Sequence, residues 1–421
     1  MAATTYGIKA GKAFVLIEAV DLTAKVLNNV RNRLAKFGSE MSQLGQTMAL
    51  RSAAALTPVA FSLRTFASFD DSMRTVEARS KGTAGEMDNL RAIAMELGRT
   101  TAFTASHIGN MMARLAQFGK TRAEIAQMTE PIMLLARAGG GGKDLNEDII
   151  NATDAVTQVL AAYKMEAEDT TKVTDLLAAT VNNSKFSLEE LGTSLQYAAP
   201  AAHNFGMSVE ETLAALAAIR ELGIDASIAG TALRNMFLYV SQAKERDDFN
   251  EKLQEMTGSL IQFTDESGNL RNMNEILLAI TEALKDVSNL DASDLITQLF
   301  ETRATVPAMG IGKSIETLAR MRKILSDVDG TSRRTSEQME TGMGGAFRVL
   351  ESAIEGVAIS LGTALNNTIL TTSGSTEIAI KAVSDWIKAN QGLVTAVVAS
   401  VALIGAFGVS LIVLGQTLRM L

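Results

Sequence analysis

The segment Gly139-Gly140-Gly141-Gly142-Lys143 is where this sequence comes nearest to a reactive motif. Successive glycine amides ahead of a lysine can cradle a phosphate. A phosphate loop, however, needs glycine where Arg137 stands, Ser or Thr where Asp144 stands, and a strand before it. Here the preceding run has a helical period, so the glycines read as a connection between helices, with Asp144 capping the next helix and Glu147 three residues on. The two histidines, His107 and His203, are far apart in the chain, and neither forms the His-Glu-x-x-His pair of a zinc hydrolase. His107 follows Thr104 by three residues, the place of a capping-box carboxylate. The pairs Glu189-Glu190 and Glu210-Glu211 fall in first helical turns, where negative charge suits the helix dipole. No Gly-x-Ser-x-Gly setting is present, and the absence of cysteine excludes disulfides and thiolate metal sites. The expectation is a protein that is not an enzyme, with no catalytic residue, no metal and no cofactor.

Composition favours a foldable, helical chain. Of 421 residues, 47% are apolar and 20% charged, with 5% aromatic and four prolines, a mixture of high helix propensity and enough length for two or three domains. Net charge is −8 and no basic cluster exceeds Arg333-Arg334, so sequence-specific nucleic-acid binding is not expected. The first residues lack a charged segment followed by an apolar one, which points to a protein made and kept in a cytoplasm.

The elements follow from periodicity and caps. Residues 13–19 are an apolar run too short to assign, though a strand is one reading. Val20 and Thr23 then lead into Leu27, Val30, Leu34, Phe37, Met41, Leu44 and Met48, at alternating steps of three and four, the seam of a coiled coil. Its partner is either another helix of this chain or a second copy. Capping boxes at Thr83/Glu86, Thr121/Glu124, Ser187/Glu190 and Ser208/Glu211 predict helix starts, and Gly98, Gly119, Gly139, Gly206 and Gly223 predict helix ends. Phe103 to Gly109 shares its pattern with Phe186 to Gly192, and Phe118 to Glu124 with Phe205 to Glu211. Either a helical hairpin occurs twice, with its first helix a turn longer in the second copy, or capping grammar simply recurs. Residues 258–271 resemble a small β-hairpin, helices resume at Asn274 and near Ile315, and 327–340 is polar enough for a linker. An amphipathic helix over 346–365 leads to the last segment.

Residues 393–414 carry no charge for 22 positions, long enough as a helix to cross a hydrocarbon core of about 30 Å. The membrane-segment positions are Leu393, Val397, Val401, Ile404, Phe407, Leu411 and Leu414, flanked by Trp386, Lys388 and Arg419. Ala396 with Ser400, and Ala402, Ala406 and Ser410, fall four apart on helix faces where backbones could approach closely, which suits helix association. The fold class expected is all-α: capped antiparallel helical hairpins, an N-terminal coiled-coil helix, one small β-hairpin and a C-terminal apolar helix. The domains expected are 1–60 (short strand and coiled-coil helix), 61–245 (helical core), 246–340 (helical subdomain with the hairpin) and 341–421 (amphipathic helix and apolar segment).

A family likeness runs through Phe69-Asp-Asp-Ser-Met73, Leu97-Gly-Arg-Thr-Thr-Ala-Phe-Thr-Ala105, Leu115-Ala-Gln-Phe-Gly119, Tyr197-Ala-Ala-Pro-Ala-Ala202 and Gly223-Ile-Asp-Ala-Ser-Ile-Ala-Gly-Thr-Ala-Leu-Arg234. Weaker likeness includes Leu299-Phe-Glu-Thr-Arg-Ala304 and Leu350-Glu-Ser-Ala-Ile-Glu355. In these the chain resembles the core region of bacteriophage tail tape-measure proteins. The resemblance implies a homo-oligomer held in the tail tube, whose length sets how many rings of tube protein assemble. It implies as partners the tail tube protein, tail-assembly chaperones, tail-tip or baseplate proteins and, on infection, the host inner membrane during DNA passage. The implied location is the virion tail lumen after assembly in the host cytoplasm. Family members usually continue far beyond such an apolar segment, and 421 residues of unbroken helix would reach only about 630 Å. A fragment, a split gene product or a short tail-like device are the openings this leaves. His107 stands where the family's pattern has an acidic residue. The rival reading is a membrane-anchored helical sensor or pore-forming protein, and a third is a wall-degrading enzyme.

Overall fold

The computed structural model describes residues 58–288, 291–292, 294–296 and 315–371, with isolated positions at 385, 388, 389, 392 and 399. Apart from Pro58, every element described belongs to the unit Val59–Ala389. Its helices are α1 (Pro58–Arg79), α2 (Ala84–Thr100), α3 (Ala105–Gln117), α4 (Arg122–Gly139), α5 (Leu145–Tyr163), α6 (Thr170–Asn183) and α7 (Leu188–Asn204). There follow α8 (Val209–Glu221), α9 (Ala226–Ser241), α10 (Ala243–Thr257), α11 (Met273–Ala283), α12 (Ile315–Leu325), α13 (Thr331–Met339) and α14 (Met343–Thr371). The protein is all-α among the described residues.

The helices begin where their caps require. All four expected capping boxes form in full, with the Glu86, Glu124, Glu190 and Glu211 amides donating to a Thr or Ser hydroxyl at 3.1–3.3 Å. At α3 the His107 Nδ1 takes the carboxylate's place and accepts from the Thr104 amide at 3.3 Å. Asp144 accepts from the Asn146 and Glu147 amides and starts α5.

Helix ends follow the glycine rule in three of five places. Gly119, Gly206 and Gly223 have φ of +74 to +79°, the left-handed region in which glycine carries no Cβ penalty. Gly98 and Gly139 do not close helices by this geometry. Helix α2 runs on to Thr100 because the Thr101 amide and hydroxyl both bond the Leu97 carbonyl and stop it there. A Cβ at Gly98 would lie 2.5 Å from the Ala105 amide, so that glycine lets α2 meet the start of α3. Gly139 is the last residue of α4, followed by Gly140 in an extended conformation.

Small residues set the packing. Every residue of Thr212–Ile219 in α8 is buried, as expected of a helix that is apolar on all sides. The most extensive contacts are those of α7 with α5 and with α9. Gly192 of α7 faces Ala155 of α5, and two residues on, on nearly the opposite face, Ser194 meets Gly230 of α9 so closely that a Cβ there would collide with the Ser194 carbonyl. The Ser194 hydroxyl donates to the Ala226 carbonyl at 2.6 Å, tying α9 to α7 at its first turn. Buried threonines satisfy themselves: Thr129, Thr153, Thr180 and Thr212 each donate to the carbonyl four residues back.

Two expectations fail for physical reasons. The β-hairpin over 258–271 reduces to one isolated antiparallel bridge, Thr264 with Leu270, and no strand forms among the described residues. The backbone of Ile261 pairs instead with the Asn250 side chain of α10, through both its amide and its carbonyl at 2.9 Å. The Asp265 carboxylate closes the turn by accepting from the Ser267 and Asn269 amides. The stretch 327–340 is not a linker, because it contains the docked helix α13. The hairpin repeat fares partly. In both copies the glycine amide bonds three residues back and the following amide five back, and α3 and α7 have 13 and 17 residues, one turn apart. The second arms differ, at 18 and 13 residues, and the same pair of bonds closes α5 at Lys164, outside the repeat. The run 13–19, the heptad seam and, apart from the isolated position 399, the apolar segment lie outside the described residues. Among the described residues no helix is long and apolar enough to cross a membrane.

Gly230→Ala is expected to destabilise the fold by about 1–3 kcal/mol through overpacking against Ser194. Chemical denaturation checks this; an unchanged midpoint would show that α7 and α9 have room to separate.

Candidate functional site

The residues with the best formal claim to chemistry are engaged with their own chain. The Gly141 and Gly142 amides, which a phosphate would need, donate to the two oxygens of Asp148 at 3.0 and 2.8 Å. A carboxylate from the first turn of α5 thus fills the cradle, and a Cβ at Gly140 would strike it. His107 serves the α3 cap, while His203 packs edge-on against Tyr163 at 5.3 Å. Burial pushes the Tyr163 hydroxyl up to about 12 even though it shares a 2.6 Å hydrogen bond with Thr212, so it stays protonated at neutral pH. Among the described residues no group of three or more His, Asp or Glu side chains is placed to hold a metal ion.

An open groove of about 470 Å³ lies between α1, α3 and α5. Much of its polar lining is paired: Ser72 donates to Asn110, Asn110 to Asn146, and Arg114 makes a two-point contact with Asp154 at 2.8 and 2.9 Å. These pairs staple three helices and leave no nucleophile beside a base.

The buried charges have a different task. Asp175 of α6, 3% exposed, accepts from the Gly330 and Ser332 amides at 2.7 and 2.8 Å, at the N-terminus of α13. Arg137 of α4, 6% exposed, meets the other end of the same helix, donating to the Met339 carbonyl at 2.8 Å and to the Glu340 carboxylate. Anion at the amino end and cation at the carboxyl end both complement the helix dipole. Arg122 does the same for α1, reaching the Glu77 carbonyl, the Ser80 hydroxyl and the Gly82 and Thr83 carbonyls. Glu355 of α14 accepts from the Ser106 amide at 2.9 Å, in the first turn of α3, which has no acidic residue of its own. The acid that His107 replaces locally is therefore supplied from α14. Ser352, one turn before Glu355, places its hydroxyl between the Gly98 and Phe103 carbonyls, so α14 is seated on the corner between α2 and α3.

None of the sequence-predicted site residues is among these. The seam from Leu27 to Met48 and the named positions from Leu393 to Leu414 all lie outside the described residues. No local pattern marks Asp175 or Arg137 for this task, because each sits singly in an apolar helical run. That isolation was itself the available signal, although the partners lie 155 to 203 residues away.

Comparison with known proteins gives the family. A family model for phage-related minor tail proteins matches residues 91–301, half of the chain. The chain belongs to the phage-related minor tail protein family. This tail protein is 26% identical over 336 residues to the tape measure protein of Pneumococcus phage Dp-1, covering 78% of the chain and 28% of that protein. With the probable tape measure protein of Escherichia phage P2 it shares 24% identity over 357 residues, 82% of the chain and 42% of the relative. A 149-residue match at 27% identity links it to the probable tape measure protein of Clostridium phage phiCD119, over 34% of the chain and 15% of the relative. The chain thus spans less than half the length of each of these relatives. No solved structure matches it.

The caps have a pH signature. Burial pushes the Glu124 carboxyl up, but hydrogen bonds from the Thr121 amide and hydroxyl, with Lys120 alongside, outweigh it and hold the group below its ordinary 4.5. At Glu190 burial is likewise outweighed, there by the Ser187 amide and by Arg220. A depressed folded value stabilises the fold fully above the unfolded pKa and loses that stabilisation as pH falls through the folded value. Urea midpoints measured at about pH 6 and about pH 3 should therefore fall with acid, and Glu124→Gln should reduce the drop. An equal drop in the variant would remove Glu124 from the account.

Proposed function

We propose that this tail protein is a structural tape-measure component with no catalytic role of its own, in which chain length is the working quantity. Membership of the minor tail protein family carries the reading, with relatives described as tape measure proteins. The described region supports it physically, since its buried charged groups Arg122, Arg137 and Asp175 are spent on helix ends. On this reading the protein self-associates inside the tail tube through the seam at 20–48. It is kept from aggregating by assembly chaperones and is held near the tail tip. The length of the whole gene product then sets the number of tube rings. An in-frame deletion should shorten tails by up to about 1.5 Å per residue removed, the rise of a helix, as seen by electron microscopy of assembled particles. Tails of unchanged length would refute the ruler role.

The finer part of the proposal concerns 393–414. This apolar stretch is packed between copies in the virion through Ala396, Ser400, Ala402, Ala406 and Ser410, and meets the host inner membrane only on release, when it assists DNA passage. Small residues allow backbones to approach where lipid and side chains are equally apolar. Ala406→Leu keeps apolarity but adds bulk, so it should weaken self-association of the isolated segment in detergent while leaving its partition into vesicles unchanged. Undiminished association would set this arrangement aside.

A further inference from the structure

The apolar core and the C-terminal helices are held by different forces. The contiguous cluster of buried apolar side chains runs from Phe69 to Val328, drawing on α1 through α12. Among the described residues it takes no side chain from α13 and only Ile359 from α14. The buried residues of α13 are both serines, Ser332 and Ser336. What fixes 329–371 is a set of polar latches. Asp175 holds the amides of Gly330 and Ser332, and Arg137 holds Met339 and Glu340. Ser352 lies on Gly98 and Phe103, and Glu355 on the Ser106 amide. Two rim contacts add to these, Arg333 with Glu130 at 2.7 Å and Asn182 with Thr335 at 3.2 Å. The latches are coupled, because Glu340 is shared between Arg137 of the core and Arg348 of α14.

We infer that residues 329–371 form a latched arm that detaches from the helical core as one unit while the core stays folded. The argument does not rest on the tail reading. Opening the arm gives each latch group and its partner back to water, and a hydrogen bond exchanged for water costs little net. Closing around Asp175 and Arg137 is specific rather than strong, since the charges must find matched helix ends or be left unpaired. Among the described residues, opening costs the burial of Ala358, Ile359 and Leu361, the partial burial of Phe347, Val349 and Ile354, and the close seat of Gly362 on Ser62 and Phe66 of α1, against the many fully buried side chains of the core. Core opening would expose α7, α8 and α9 along their whole length. Local opening of such an element below the global unfolding free energy is the ordinary behaviour of a region with few apolar contacts. The consequence is a hinge just after α12. Everything downstream of residue 328 can change direction with the core intact.

Hydrogen exchange with mass spectrometry on the full chain tests this. Amides of 331–339 and 346–362 should be protected at least about tenfold less than those of α7, α8 and α9. Asp175→Asn keeps the shape but removes the charge, and should speed exchange about tenfold in both stretches, with α7 to α9 unaffected. Glu355→Gln should act on the same two stretches. Three results would overturn the inference. In one, 331–339 exchanges only as slowly as α7. In another, Asp175→Asn speeds the whole core equally, making the contact part of the global fold. In the third, each variant affects only its own helix, which would deny the single unit. The wild-type comparison stands even if a variant fails to fold.

Discussion

A helix leaves up to four amides without partners at one end and four carbonyls at the other, and fourteen α-helices with assigned bounds lie among the described residues of this chain. The cost of those ends is the constraint on which the rest of the structure depends. Where an end reaches solvent, a neighbouring hydroxyl and carboxylate satisfy it, as at Thr83, Thr121, Ser187 and Ser208. Other ends, buried only in part, take a charge from elsewhere in the chain. Arg122, Arg137, Asp175 and Glu355 meet that need. Each reaches into a helix end from a different helix, so satisfying a terminus also decides which helices are neighbours.

This separates strength from specificity. Apolar burial supplies most of the driving force, but the core is built largely of Ala, Leu, Ile and Met, residues that many alternative packings would satisfy. A buried carboxylate has fewer solutions. Removing its partner strands a charge, whereas forming the pair returns little beyond what water offered, so such contacts choose among arrangements more than they strengthen one. The glycines act in the same sense by shape. Gly98 at Ala105 and Gly230 at Ser194 are points of near backbone contact that a different register would lose.

The legible part of the fold was the local part. A capping box is written within four residues, so helix starts could be read directly, and even the histidine substitute at His107 was identifiable by position. Glycines were legible only in part, because a glycine near a helix end serves either a left-handed turn or a close approach, and the local sequence of Gly98 does not distinguish them. Polarity misled over 327–340, where Ser332 and Ser336 read as solvent-facing but lie against α4 and α6. A helix docked through its termini needs no apolar face, and hydrophobic periodicity has nothing to detect. The expected hairpin is cut short for a related reason: Asn250, eleven residues before Ile261, takes up the Ile261 backbone, and backbone pairing is confined to the turn from Phe263 to Arg271. Long-range caps were invisible because only folding brings position 175 to position 330.

The segments that carried the family likeness converge on these same contacts. Leu97 to Ala105 and Leu350 to Glu355 lie far apart in sequence, yet Ser352 sits on the carbonyls of Gly98 and Phe103 and Glu355 on the amide beside Ala105. Gly223 to Arg234 includes Ala226, bound by Ser194, and Gly230, which touches it. Phe69 to Met73 contributes Ser72 to the chain of hydrogen bonds through Asn110 to Asn146. What is recognisable in the sequence is therefore a set of backbone approaches and helix ends, with no reactive group common to them. Under the structural role proposed for this chain, the protein's product is its own shape. In such a protein the positions most sensitive to substitution should be the small and charged residues inside helices, where an enzyme would concentrate them around a pocket.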